Sequence, residues 1–101
     1  MAQYIIAYIG GRQPATPEEG LQQKQKWGAW LQGLGDAVVN PGTPLRNSRR
    51  VGMDGAVRED GTVLTGYTVV EAASLDAALE MAKGCPFLEM GELEVAEMVQ
   101  M

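Results

Sequence analysis

The sequence contains no histidine, so Ser-His and Cys-His nucleophilic groups, imidazole-liganded metals and the usual near-neutral proton shuttle are all excluded. One cysteine, Cys85, rules out an intramolecular disulfide and any multi-thiolate zinc site. No apolar run approaches the roughly 20 residues that a membrane helix requires, and the opening MAQYIIAYIGG lacks the basic start of a signal peptide. These features make a cytoplasmic protein the expectation. Positive charge is also scarce: 8 basic against 13 acidic residues give a net charge of −5, the wrong sign for a general nucleic-acid or anionic-membrane binder. No metal spacing and no phosphate loop is present, since Gly10-Gly11 is not followed by the Lys-Ser/Thr ending that such a loop needs. No cofactor is expected.

What remains is an ordinary globular composition, 46% hydrophobic and 21% charged over 101 residues. That length suits a single domain over residues 1–101 with one real core. The charge is segregated. From residue 71 onward the acids Glu71, Asp76, Glu80, Glu89, Glu92, Glu94 and Glu97 face Lys83 alone, whereas Arg46, Arg49, Arg50 and Arg58 cluster in one central stretch. Solvated surface is the plain reading of those arginines. The chemical one is a clamp for a carboxylate or phosphate built from Arg46, Arg49 and Arg50.

Tyr4-Ile5-Ile6-Ala7-Tyr8-Ile9 reads as a strand that is apolar on both faces, and so central. Thr16-Pro17-Glu18-Glu19 is a strong helix start, with Thr16 as cap, Pro17 in the first turn and Glu19 at the capping-box position. The helix should run to about Leu34, with Trp27, Trp30, Leu31 and Leu34 as its apolar stripe. Ala37-Val38-Val39 begins a second strand, which Pro41 and Pro44 assign to a sheet edge. Residues 45–61 read as irregular, with turn signals at Asp54-Gly55 and Asp60-Gly61. Thr62 to Val70 reads as a third strand. Ser74 caps a second helix to about Lys83 whose Leu75, Ala78, Leu79 and Ala82 share one face. The last strand, within Gly91–Val99, alternates as an antiparallel edge strand does.

The order β-α-β-β-α-β fits an α+β, ferredoxin-like sandwich with both helices on one face of an antiparallel sheet. The helices cover only that face. The other, assigned to Tyr4, Ile6 and Tyr8 or their alternates, needs a cover, and a second copy is the economical one. The expectation is a homodimer through its sheet faces, with a small-molecule pocket at the junction.

The whole chain resembles the YCII-related (DGPF-type) proteins, which form dimeric α+β barrels. The resemblance rests on the Pro-Glu-Glu helix start, AWLQGLGDAVVNPGTPL, MDGAV, GYTVVEAASLDAALEMAKGCPFL and the closing GELEVAEM. Where family members often carry DGPF, this chain has Asp54-Gly55-Ala56-Val57, so only the Asp-Gly pair carries over. Asp54 thereby becomes the candidate acid or base, and Lys24 stands near the position of a family histidine. The resemblance implies a small dimeric protein of unestablished role. It binds a small molecule without histidine chemistry or, alternatively, is a lyase- or dehydrochlorinase-like acid/base enzyme using Asp54 on a small aromatic or polar substrate.

From the residues themselves, Asp54 reads as a turn residue. Its catalytic version needs burial in a pocket between protomers and a second titratable group nearby. Lys24 reads as a solvated helix residue, or else as an ammonium near Asp54. Tyr4, Tyr8, Tyr67 and Arg46 are the candidate ligand-binding residues, the tyrosines because they lie on central strands where a sheet face would enter the interface. Trp27, Trp30 and Cys85 read as packing.

Overall fold

The computed structural model describes residues 1–12, 15–59 and 63–100. The turn signal at Asp60-Gly61 and the expected strand start at Thr62 lie outside them. Within the described residues the strands and α-helices are β1 (Ala2–Ile9), α1 (Pro17–Leu34), β2 (Val38–Asn40), β3 (Arg50–Val51), β4 (Val57–Arg58), β5 (Leu64–Ala72), α2 (Leu75–Lys83) and β6 (Glu92–Met98), with 3-10 turns at Gly35–Ala37 and Pro86–Glu89. Four strands form an antiparallel sheet in the order β2-β5-β1-β6, with β1 and β5 central and β2 and β6 at the edges. This is the ferredoxin-like arrangement.

Local chemistry sets the helix boundaries. The Thr16 hydroxyl accepts from the Glu19 amide at 3.2 Å while the Glu19 carboxylate takes the Ala15 amide at 2.8 Å, so free donors at the start of α1 are satisfied from both directions. Ser74 caps α2 through the Ala77 amide at 3.1 Å. Gly35 ends α1 with φ +58 and returns its amide to the Leu31 carbonyl.

The core lies between the helices and one sheet face. Tyr4, Ile6 and Tyr8 of β1 and Val70 and Ala72 of β5 pack there against Ala78 and Ala82 of α2, with Trp27 and Trp30 of α1 laid alongside. Burying each large apolar side chain contributes roughly 1.5–3 kcal/mol. The indole of Trp30 donates to the Met81 carbonyl at 3.0 Å, tying α1 to α2. Lys26 and Glu89, 3.0 Å apart but half-exposed, add at most about 1 kcal/mol between α1 and the turn after α2.

Three expectations need correction. Tyr4, Ile6 and Tyr8 face the helices, and the uncovered face carries Ile5, Ala7 and Ile9 instead. The aromatic members of β1 are long enough to reach under the tryptophans of α1, so they take the helix side. On α2 the buried residues are Ala78 and Ala82, flanked by Ala77 and Met81, whereas Leu75 and Leu79 stand 45% and 37% exposed. Two alanines let α2 approach the sheet closely and leave the bulkier leucines on its flank. Of the stretch expected to be irregular, the described residues 45–59 contain the β3–β4 hairpin, which pairs Arg50 with Arg58 and Val51 with Val57.

One glycine holds the loop after β2 against β5. Gly42 has φ +79, and a Cβ there would sit 1.6 Å from the Tyr67 carbonyl oxygen. Gly42→Ala should therefore destabilise the protein by more than about 2 kcal/mol, read as a lowered urea midpoint with an unchanged slope. A midpoint equal to that of the native sequence would show that this loop does not brace the sheet.

Candidate functional site

Register assigns the uncovered face. Ile5, Ala7 and Ile9 of β1 lie beside Val69, Tyr67 and Leu64 of β5 and beside Ala96, Glu94 and Glu92 of β6. Apolar side chains hold the middle of this face, and glutamates line the β6 end.

Over that end projects the β3–β4 hairpin. Its turn is locally encoded. The Asp54 Oδ1 accepts the Ala56 amide at 3.0 Å, the Gly52 amide donates to the Ala56 carbonyl at 2.8 Å, and Gly55 supplies the φ of +82. Val51 and Val57 remain two-thirds exposed and Met53 wholly so. Between hairpin and sheet lies a cavity of about 680 Å³, within the range of small-molecule sites. Its apolar surface comes from Ile9, Val63, Leu64 and Leu93. Arg49, Arg50, Arg58 and Glu59 line it from the hairpin side, and Glu92 and Glu94 from β6. Arg49 is paired with Glu59, Nε to Oε1 at 3.2 Å. Arg58 is 3.8 Å from the Asp54 carboxylate, and Arg50 has no ion pair among the described residues.

The residues singled out from sequence do not converge on this cavity. Asp54 sits at the hairpin turn with its side chain 63% exposed within one chain. Lys24 is exposed on α1 and makes no hydrogen bond or ion pair among the described residues, and Arg46 is exposed outside the cavity lining. Tyr67 lies half-buried on the uncovered face without lining the cavity. Tyr4 and Tyr8 lie in the helix-covered core, on the wrong face for an interface pocket. Of the expected clamp, Arg49 and Arg50 do reach the cavity, joined by Arg58. The clustering of arginines was the usable signal. The glutamates opposite were visible only as an acidic strand.

Tyr8 is instead a structural hub. Its ring meets Trp27 edge-on at 4.8 Å and stacks on Phe87 at 5.1 Å. Its hydroxyl bonds the Thr68 hydroxyl, which in turn donates to the Pro41 carbonyl at 3.1 Å. Burial pushes the Tyr8 phenol well above its usual range, outweighing the opposing effect of the Thr68 bond. Burial likewise pushes the neighbouring Cys85 thiol up to about 11, against a backbone hydrogen bond at Phe87 and its contact with Tyr8.

No group of three potential ligands among the described residues is placed to hold a metal ion, and no helix there is long and apolar enough to cross a membrane. The family model for the YCII-related domain matches residues 6–101. No curated protein matches the sequence. Among solved structures, 5-chloro-2-hydroxyhydroquinone dehydrochlorinase from Burkholderia phenoliruptrix, determined with 2,5-dihydroxybenzoquinone, superposes with a TM-score of 0.60 at 17% identity. The match covers 96% of this chain and 93% of that one. At that identity the likeness is one of fold.

The Cys85 and Tyr8 shifts have a testable sign. Both groups are protonated when buried, while the unfolded chain ionises Cys85 from its ordinary value near 9. The Cys85 contribution to stability is therefore complete below about pH 9 and is lost as pH rises towards about 11, whereas that of Tyr8 begins to fall only above its ordinary value of 10. Urea midpoints should fall over that interval, and Cys85 should react with a thiol reagent at pH 8 only as fast as the protein opens. Rapid labelling of the folded protein would contradict the burial.

Proposed function

This chain belongs to the YCII-related family, and from that premise we propose that it is a small-molecule-binding homodimer. Two copies meet through their uncovered sheet faces, and each ligand lies under the β3–β4 hairpin at the edge of that junction. The observation that carries this reading is the cavity itself, about 680 Å³ with apolar, cationic and anionic lining side by side. Ile5, Ala7, Ile9 and Tyr67 supply the apolar middle of the dimer contact, half-buried within one chain and covered by the second. The hairpin supports the same arrangement, because two-residue strands with an exposed valine pair gain stability from a covering surface.

The acid/base alternative would rest on Asp54. Its carboxylate is engaged by the Ala56 amide and lies near Arg58, which suits a residue that shapes the hairpin. Asp54→Asn keeps the oxygen that accepts the Ala56 amide. Under the binding reading this variant retains ligand affinity to within about threefold, a difference below about 1 kcal/mol. Loss of turnover on a quinol substrate in this variant, with binding intact, would favour the enzyme.

Native mass spectrometry of the freshly purified protein, with denaturing release of whatever is bound, tests the proposal directly. The expected result is a dimer carrying a reproducible small-molecule adduct. A monomer at micromolar concentration would overturn the shared sheet face, and a dimer that neither carries nor takes up any small molecule would overturn the pocket.

A further inference from the structure

The cavity under the hairpin is charged in a particular way. Arg50 and Arg58 are directly opposite one another across β3 and β4, and both line the cavity. Like charges in that register repel. Arg58 makes a long ion pair of 3.8 Å with Asp54, and Arg50 has no acidic partner among the described residues. On β6, Glu92 and Glu94 are two residues apart, so they project from the same sheet face, in register with Ile9 and Ala7. They also line the cavity, and neither makes an ion pair among the described residues. Unpaired Arg50 beside Arg58, whose pair with Asp54 is long, and unpaired Glu92 beside Glu94 thus border one hollow with no ion pair between the two sets among the described residues. Ile9 and Leu64 lie on the apolar stretch of its lining.

From this arrangement we infer that the ligand is a zwitterion with its charges at opposite ends of an apolar body, in the manner of an ω-amino carboxylate. The carboxylate end accepts hydrogen bonds from Arg50 and Arg58, whose planar guanidinium groups suit it. The ammonium end donates to Glu92 and Glu94, and the hydrocarbon between them covers Ile9 and Leu64. A singly charged ligand of the same length would relieve one repelling pair and leave the other. This inference rests on the pocket proposed above and adds the class of molecule it takes.

Calorimetric titration of the full chain with 4-aminobutyrate, 6-aminohexanoate and 8-aminooctanoate measures the span, with hexanoate and hexylamine as singly charged controls. One member of the series should bind at least about tenfold tighter than either control. Arg50→Gln should remove its advantage over hexylamine, and the double variant Glu92→Gln/Glu94→Gln should remove its advantage over hexanoate while leaving hexanoate binding unchanged. Circular dichroism and urea midpoints verify that both variants fold. Controls binding as tightly as the series would overturn the inference, as would no heat from any probe. It would equally be overturned if the variants shifted only the dimer dissociation constant, because the two charged pairs would then neutralise each other between copies. A reproducible native adduct that is not zwitterionic would sink this inference while the pocket reading stands.

Discussion

The arrangement turns on how Tyr8 is held. Its ring is caught between Trp27 and Phe87, and its edge lies against Gly66, where a Cβ would approach the ring to 2.7 Å. Its hydroxyl is fixed through Thr68 to the Pro41 carbonyl. One side chain thus ties β1 to α1, to the turn after α2, to β5 and to the loop after β2. It also decides polarity. With Tyr8 inward, strand alternation sends Tyr4 and Ile6 inward with it and turns Ile5, Ala7 and Ile9 outward. A buried phenol needs a hydrogen-bond partner, and only the inner face offers the fully buried Thr68 hydroxyl, so the reverse orientation would leave a polar group exposed to hydrocarbon or waste the partner.

The position of the cavity follows from that choice. Because Ile9 points away from the helices, Leu64 and Glu92, which flank it in register, do so as well, and together they form a part-apolar, part-acidic patch at one end of the sheet. Pro41 and Pro44 cannot donate to a ladder, so regular pairing stops after β2, yet the chain stays beside β5 through the Pro44–Gly66 bridge and the Leu45 amide, which donates to the Thr65 carbonyl at 2.9 Å. Beyond Leu45 it leaves the edge for the β3–β4 hairpin, bringing the arginines over the acidic end. The arginine cluster in the middle of the chain and the acidic strand near its end thus face one hollow, with Glu59 the acid on the arginine side.

What was legible in the sequence was whatever local chemistry decides. Thr16, Glu19 and Ser74 announce their helices because a cap needs only its own first turn, and Asp54-Gly55 announces a turn for the same reason. The strand order also followed, since Pro41 and Pro44 marked one edge and the alternating glutamates of β6 the other. The inward face of β1 was not legible. Both of its faces are apolar, and the decision between them lies with Trp27, Phe87 and Thr68, residues distant in sequence. The hairpin escaped because two-residue strands are too short to show a period. The site was half-visible: the arginines clustered within one stretch, while Glu92 and Glu94 join them only through the register of β6 against β1.

The absence of histidine and the Asp54-Gly55-Ala56-Val57 segment bear on the same chemical question. A site that moves protons needs a group held away from water and close to a second titratable partner. At the position where family members place an acid, this chain has an Asp54 that faces solvent and fastens a turn. The residues that do meet under the hairpin are arginines and glutamates, and arginine stays cationic throughout the physiological range. Such groups recognise and orient charge. Their strength depends on water being excluded once the ligand enters, which in the proposed dimer the hairpin and the second sheet would do. The charged groups that line the hollow therefore suit electrostatic recognition better than proton transfer.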